Sequence, residues 1–134
     1  MKKLTVGSLF SGVGLCDLGL SWAGMRHAFF CEVDPFCRSV LAKHWSDVSI
    51  YNDVRSLNGA DLPHIDILCG GFPCQDVSSG GKRAGIKEGT RSGLWYEYSR
   101  LIGEIHPRYA IIENVRGLLS CGIEIVMRDL AALG

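Results

Sequence analysis

Short apolar runs, suited to buried strands, alternate along this chain with longer stretches in which apolar residues recur at helical spacing. The apolar runs cover residues 4–9, 27–31, 48–51, 65–69 and 109–112. Strands that are separated by helices pair in parallel, through right-handed crossover connections. The alternation therefore predicts an α/β protein with a doubly wound, mainly parallel, Rossmann-like sheet.

A polar or reactive residue follows the end of each predicted strand. These residues are Gly12, Glu32, Asp53, Cys74 and Glu113. The carboxyl ends of parallel strands meet at one edge of an open sheet, and such folds bind their ligands there. We therefore expect these five residues to contribute to one site at this edge.

The fourth predicted strand leads through two glycines into Pro73 and Cys74. Proline fixes its own φ and restricts the preceding residue, so the backbone before Cys74 is stiff. A free cysteine is often no more than a small buried hydrophobic residue. The position of Cys74 beyond a glycine turn, outside the apolar run, favours a nucleophilic thiol.

The first predicted strand is followed by a glycine-containing turn at residues 10–14, which suits the approach of a nucleotide-like ligand to a helix N-terminus. Glu32 follows about 20 residues later, where an acid can accept hydrogen bonds from ribose hydroxyls. Position 17 holds Asp instead of the third glycine of the dinucleotide-binding fingerprint. An ordinary turn fits the same pattern, as does a nicotinamide-dependent oxidoreductase, although the latter leaves Cys74 and Glu113 unexplained.

Helical spacing and helix-capping residues predict four helices. Asp34 and Pro35 form an N-cap and a helix-starting proline, and another amphipathic stripe runs from residue 95 until Pro107 stops it. The first helix is marked by Leu15, Leu18 and Trp22. The last is marked by Leu119, Ile123, Val126, Leu130 and Leu133.

Composition limits the classes of protein that fit. The 134 residues suit one domain, and 14 basic against 14 acidic residues give no net charge that would attract nucleic acid or membranes. The six cysteines form no C-x-x-C pair and show no zinc-ligand spacing, so we expect no metal site. Most of them lie within apolar runs, which favours a reducing cytoplasmic or nucleoid location over a disulfide framework. Polar residues interrupt the N-terminal apolar run, so we do not expect a signal peptide there. No apolar run is long enough for a membrane span.

Residues 76–91 are rich in glycine and locally basic. Lys82, Arg83, Lys87 and Arg91 are suited to contact phosphates, and the segment has the composition of a mobile lid. A solvated surface loop would have the same composition.

Several of these stretches, in this order, closely resemble the cytosine-5 DNA methyltransferases. Residues 9–14 resemble the first motif of that family, and residues 71–75 resemble its nucleophile signature. Residues 113–115 look like its catalytic Glu-Asn-Val, while Glu32 and Asp53 match its ribose and adenine contacts. The resemblance runs through nearly the whole chain and implies the fold of S-adenosylmethionine-dependent methyltransferases.

The resemblance also implies an activity: methyl transfer from S-adenosylmethionine to carbon 5 of cytosine in DNA. Cys74 would add to carbon 6 of the base, and Glu113 would bind its N3 edge. The implied cofactor-binding residues are Phe10, Ser11, Gly12, Gly14, Glu32, Val33, Asp53, Val54, Gly71, Pro73 and Leu94. The implied substrate-binding residues are Gln75, Ser78, Lys82, Arg83, Asn114 and Val115.

Some features depart from the family pattern. Ser8 and Leu15 stand where the family commonly has Asp and Gly. The target-recognition region and the later motifs have no counterpart in residues 1–134, which implies the N-terminal part of a catalytic domain. A truncated piece, a pseudogene-like fragment and one half of a split enzyme all fit this pattern. We expect a complementing chain to supply the missing parts, and we expect this chain alone to be inactive on duplex DNA. A tRNA cytosine-5 methyltransferase and a non-catalytic cofactor-binding subunit are the alternatives.

Overall fold

The computed structural model describes residues 3–73, 92–120 and 122–134. Within these residues, five strands form one sheet in the order β3-β2-β1-β4-β5, and every pair is parallel. The strands are β1 Thr5–Leu9, β2 Arg26–Cys31, β3 Ser49–Tyr51, β4 Ile67–Gly70 and β5 Tyr109–Ile112. The parallel α/β fold predicted from the sequence is confirmed.

The last residues of the five strands lie side by side in the register of the sheet. Leu9 pairs with Cys31 on one side and with Gly70 on the other, Cys31 pairs with Tyr51, and Gly70 pairs with Ile112. All five strands therefore end in one row. The residues that follow them in the described part of the chain emerge along the same edge, as expected for a doubly wound sheet.

Four α-helices connect or follow the strands. They are α1 Leu15–Trp22, α2 Pro35–His44, α3 Trp95–Ile105 and α4 Ile123–Leu133. The predicted cap of α2 is present, because the Asp34 Oδ1 accepts a hydrogen bond from the Cys37 amide at 2.9 Å and Pro35 begins the helix. Helix α3 ends just before Pro107, as the sequence predicts.

The apolar stripe that predicts α1 does not face the sheet. Leu15 is 77% exposed and Trp22 is 80% exposed, whereas the polar residue Asp17 is buried. The Asp17 carboxylate lies 3.0 Å from the Nε2 atom of the equally buried His27 in β2. Because this polar pair takes the sheet-facing position, the apolar side of α1 is left on the surface.

The last predicted helix is divided in two. Leu119 belongs to a 3-10 turn, Arg116–Leu119, and the α-helix begins only at Ile123, after Gly122. Leu118 in this turn is buried, while Leu119 is exposed. The stripe predicted to begin at Leu119 was therefore wrong for its first residue, because the change of helix type rotates the buried face.

Helix α3 carries the largest buried side chains of the described core. Trp95, Tyr98 and Leu101 are all fully buried. The Tyr98 hydroxyl oxygen lies 3.0 Å from the carbonyl oxygens of both Leu68 in β4 and Ile111 in β5. The position of α3 is thus fixed against the two strands that lead to the carboxyl edge.

We expect Tyr98→Phe to lower the free energy of unfolding by about 1 kcal/mol, because a buried hydroxyl that hydrogen-bonds to the sheet is lost without a change of shape. Urea unfolding followed by tryptophan fluorescence measures this change. Tyr96→Phe is the matched control, since Tyr96 lies on the same helix but is only partly buried. Equal unfolding midpoints for all three proteins would show that the hydroxyl contributes nothing.

Candidate functional site

A cleft of about 490 Å³ opens beyond the carboxyl ends of β1, β2 and β3, within the size range of small-molecule sites. Its lining residues are Phe10, Cys31, Glu32, Val33, Asn52, Asp53, Val54, Arg55, Gly71, Pro73 and Leu94. Most of the residues that the sequence assigns to a cofactor are thus brought to one cleft. Three lining residues, Cys31, Asn52 and Arg55, were not predicted from the sequence, although Asn52 and Arg55 lie close to Asp53 in the chain.

The turn after β1 winds tightly at the mouth of the cleft. Phe10, Gly12 and Gly14 have φ angles of 52°, 56° and 83°, all in the left-handed region. This conformation costs energy for a residue with a side chain such as Phe10. Ser11 and Gly12 face a neighbouring cavity, and Gly14 packs against the Trp45 ring, so these two glycines and Ser11 shape the turn instead of lining the cleft.

The Glu32 carboxylate holds this turn in place. Its Oε2 atom accepts the Gly12 amide at 2.7 Å, and its Oε1 atom accepts the Asp34 amide at 2.8 Å. Glu32 is only 9% exposed, and two backbone donors stabilise a carboxylate that is costly to bury. Each oxygen has a second lone pair, so Glu32 can fix the turn and still accept a hydrogen bond from a ligand hydroxyl.

The end of β2 is also fixed from helix α2. The Arg38 Nη1 atom donates to the carbonyl oxygens of Glu32 at 3.0 Å and Val33 at 2.6 Å. The backbone that directly follows the Glu32 side chain is therefore restrained. A binding group held by such contacts loses little further freedom when a ligand arrives.

Asp53 lies beyond β3, at the opposite side of the cleft from the turn after β1. Its carboxylate accepts hydrogen bonds from the Arg55 backbone amide at 3.0 Å and from the Arg55 Nη2 atom at 2.7 Å. These hydrogen bonds, with the guanidinium charge, hold the pKa of Asp53 below its usual value. Asp53 is therefore ionised at neutral pH and is an acceptor for a ligand amine.

A second cavity, of about 320 Å³, lies beside the cleft and includes Glu113 in its wall. Gly71 lines both spaces. A Cβ atom on residue 71 would lie 2.5 Å from the Glu113 Oε2, so any side chain here would push the end of Glu113 out of its place. The glycine therefore allows the Glu113 carboxylate to pack against the backbone of the segment that leads to Cys74.

Asn114 fastens that same segment. Its Nδ2 atom donates to the Phe72 carbonyl oxygen at 3.0 Å, and its Oδ1 atom accepts the Val115 amide at 2.9 Å. Val115 is 38% exposed at the edge. The roles of Asn114 and Val115 in substrate binding stay predictions, while the contact of Asn114 is with the protein backbone.

Cys74 and the predicted contacts Gln75, Ser78, Lys82 and Arg83 lie outside the described residues. Their roles therefore stay predictions. Among the thiols that the structure does describe, burial raises the pKa of Cys31 to about 12 and also raises the pKa of Cys69. Burial also raises the pKa of the more accessible Cys16. At neutral pH these three thiols are protonated and poor nucleophiles.

The family is decided by comparison with known proteins. The family description "C-5 cytosine-specific DNA methylase" matches residues 4–130. The chain belongs to this family. The resemblance seen in residues 9–14, 71–75 and 113–115 is thereby confirmed at the level of the family.

Individual members of the family show the same relationship. The chain is 41% identical over 120 residues to the Type II methyltransferase M2.BsuMI of Bacillus subtilis, covering 87% of this chain and 30% of that protein. It is 39% identical to the orphan methyltransferase M.Rho11sI of Bacillus phage rho11s, covering 90% of this chain and 24% of that protein. The Type II methyltransferase M.Eco47II of Escherichia coli is 38% identical, with coverage of 87% and 28%.

A solved structure shares the methyltransferase fold. It is described as a DNA modification methyltransferase encoded within an E. coli prophage, and it matches with a TM-score of 0.69 and 29% identity. The match covers 87% of this chain and 33% of that one. The chain thus spans only about a quarter to a third of the length of these methylases.

Two further features concern the described residues alone. None of their helices combines the length and the apolar character needed to cross a bilayer. In the same part of the chain, no three His, Cys, Asp or Glu side chains are grouped as metal ligands.

Proposed function

We propose that this chain forms the part of a cytosine-5 DNA methyltransferase that binds S-adenosylmethionine and carries the residues that react with the base. The observation that carries the proposal is the position of Gly71. This residue lines the cleft that contains Glu32 and Asp53, and its backbone also packs against the Glu113 carboxylate. A cofactor in the cleft would therefore lie next to the group that acts on cytosine.

The cleft fits the cofactor chemically. Glu32 can accept hydrogen bonds from the ribose hydroxyls, and the ionised Asp53 can accept one from the adenine amine. Phe10, Val54 and Leu94 provide apolar surface for the flat base. S-adenosylmethionine would supply an electrophilic methyl group at this edge of the sheet.

Carbon 5 of cytosine is a poor nucleophile, and the reaction must first activate it. We assign this step to Cys74, whose thiolate would form a bond to carbon 6 and shift electron density to carbon 5. The Glu113 carboxyl group would give its proton to N3 and so offset the negative charge that develops on the ring, while its other oxygen would accept a hydrogen bond from the exocyclic amine. After methylation, loss of the carbon 5 proton would break the bond between sulfur and carbon 6.

The target base must leave the DNA stack before Cys74 can reach it, since carbon 6 is otherwise covered by neighbouring bases. The basic residues Lys82 and Arg83 are the predicted phosphate contacts for this step. The chain has equal numbers of acidic and basic residues, so little positive charge is available to hold a duplex. We propose that residues 1–134 are one part of the catalytic domain and are inactive on duplex DNA by themselves.

Exposed apolar side chains support the proposal of a complementing part of the methyltransferase. On the described surface, Leu15 and Trp22 of α1 are largely exposed, and Tyr109 on the edge strand β5 is 53% exposed. Apolar side chains at a free sheet edge favour association with further strands or helices. A segment corresponding to the rest of the relatives, in the same or a second polypeptide, would cover them and supply target recognition.

Binding of S-adenosylhomocysteine, the demethylated product, tests the cofactor site. We expect Glu32→Gln to weaken binding about 10- to 100-fold, as expected when hydrogen bonds to a charged group are lost. The amide nitrogen of Gln cannot accept, so it would also repel either the Gly12 or the Asp34 amide. Titration calorimetry measures the two affinities.

Glu124→Gln is the matched control, because it removes the same charge from an exposed position in α4. Its affinity should equal that of the wild type. Equal affinities for the wild type and Glu32→Gln would remove Glu32 from the site. A wild-type protein that binds no S-adenosylhomocysteine would contradict the proposed function.

A further inference from the structure

Arg100 on helix α3 is linked to a distant loop as well as to its own helix. Its Nε and Nη2 atoms donate to Glu97 at 2.9 and 2.7 Å, and its Nη1 atom donates to Glu104 at 2.8 Å. The same guanidinium donates to the Leu57 carbonyl oxygen at 3.0 Å and to the Val54 carbonyl oxygen at 3.2 Å. All three nitrogens of the guanidinium are thus engaged.

The two carbonyl groups belong to the segment that directly follows Asp53. Val54 is buried in the core and also lines the cleft, and its carbonyl closes the 3-10 turn by accepting the Leu57 amide. These acceptors lie 46 and 43 residues before Arg100 in the sequence. The contact therefore fixes one wall of the cleft to a helix that the core holds firmly.

Glu104, one turn further along α3, holds the end of the same segment. Its Oε2 atom accepts the Gly59 amide at 2.7 Å, and this hydrogen bond is the largest cause of a lowered pKa for the Glu104 carboxyl. A Cβ atom on residue 59 would lie 2.5 Å from the Glu104 Cβ, so only glycine permits this approach. Two side chains of one helix thus restrain residues 54–59.

We infer that Arg100, assisted by Glu104, is a positioning residue that holds residues 53–59 in the arrangement in which Asp53 and Val54 are ready to receive the adenine end of the cofactor. The inference rests on the proposed function, because it concerns the same cleft. Within the described residues, the Val54 carbonyl oxygen is the one cleft-lining group to which Arg100 donates a hydrogen bond. Its effect on a ligand would therefore pass through the loop.

A purely local role for Arg100 explains the geometry less well. Ion pairs with Glu97 and Glu104 on the surface of one helix contribute little to stability. They do orient the planar guanidinium so that its remaining N–H groups point at the two carbonyl oxygens. Lysine has no such fixed fork of donors and cannot reproduce both sets of contacts.

Hydrogen exchange of the ligand-free protein gives the first test. Arg100→Met should accelerate amide exchange at Ser56, Leu57 and Gly59 at least tenfold, to near the rate of an unprotected chain, because the loop would be open for most of the time. Exchange in strands β1 and β4 should stay unchanged. Arg128→Met is the matched control, because Arg128 is exposed on α4 and its hydrogen bonds in the described structure go to the neighbouring Asp129. Unchanged exchange at residues 56–59 in Arg100→Met would overturn the inference.

Cofactor affinity gives the second test. If the competent loop falls to about a tenth of the population, the Kd for S-adenosylhomocysteine rises about tenfold in Arg100→Met. Arg100→Lys, which keeps the positive charge, should have a Kd between those of the wild type and Arg100→Met. Combining Arg100→Met with Asp53→Ala should add little to the effect of Asp53→Ala, because both changes act through one loop. Combined with Glu32→Ala, the effects should add.

The outcomes separate this inference from the proposed function. A wild-type protein without affinity for S-adenosylhomocysteine contradicts the proposed function and the inference together. If the wild-type protein binds S-adenosylhomocysteine and both Arg100→Met and Arg100→Lys bind it with the wild-type affinity, the inference alone is contradicted. Additive effects of Arg100→Met and Asp53→Ala would also overturn it, since a general loss of stability would not depend on Asp53.

Discussion

Cys74→Ala is expected to lower the rate of DNA methylation by the complete methyltransferase by roughly 10³-fold or more, because the covalent activation of carbon 6 is lost. Binding of S-adenosylhomocysteine should be unchanged, since the cleft contacts of Glu32 and Asp53 do not depend on the thiol. Transfer of a tritiated methyl group to duplex DNA measures the rate. The complete methyltransferase means this chain together with the proposed complementing part.

Other cysteines provide the matched controls for this result. Cys16→Ala changes an exposed thiol in helix α1, and Cys31→Ala changes a buried thiol whose pKa is raised to about 12. Both variants should keep methylation activity if they remain folded. Substantial activity in Cys74→Ala, or loss of activity in a folded Cys16→Ala protein, would show that the nucleophile has been assigned wrongly.

Glu113→Gln is expected to slow methylation about 10²-fold, because an amide can hydrogen-bond N3 of the base but cannot transfer a proton to it as a carboxyl group can. The glutamine has the shape of the glutamate, so it still fits against Gly71. Single-turnover methylation measures the chemical step separately from product release. Affinity for S-adenosylhomocysteine should stay within the error of the wild type.

Gly71→Ala tests the position of the same carboxylate without changing its charge. The added Cβ would lie 2.5 Å from the Glu113 Oε2 and must displace it, so the single-turnover rate should fall in this variant too. Asn114→Ala, which releases the Phe72 carbonyl, should act in the same direction through the segment that leads to Cys74. Full rates in Glu113→Gln and Gly71→Ala would remove Glu113 from the reaction.

The carboxyl edge was predictable from the sequence because parallel strands bring their ends together whatever the exact length of each strand. Strand β5 was predicted at residues 109–112, as found, while β4 begins two residues later than predicted and includes Gly70. These shifts do not matter for the site, since Glu32, Asp53 and Gly71 still come just after the ends of β2, β3 and β4. The Asp34 cap could also be predicted from the sequence, because it depends on a contact between residues only three positions apart.

Features that depend on contacts between distant segments could not be predicted in this way. The spacing of Leu15, Leu18 and Trp22 indicates a helix, but it does not say which side faces the sheet, and the Asp17–His27 pair decides that side. The role of Arg100 is hidden for the same reason. Its spacing to Glu97 and Glu104 predicts helix-surface ion pairs, whereas the bonds to two carbonyl oxygens of the cleft wall arise only in the folded chain.

The central claim is that Cys74 attacks cytosine carbon 6 next to a cofactor in the Glu32 cleft, and covalent trapping tests it most directly. The complete methyltransferase is incubated with S-adenosylmethionine and a duplex containing 5-fluorocytosine, in which the proton that must leave is replaced by fluorine. Peptide mass spectrometry then locates the adduct. We expect one methylated nucleotide on Cys74, formed only with the cofactor and about equally in Cys16→Ala. An adduct on another cysteine, or methylation without any trapped adduct, would contradict the account.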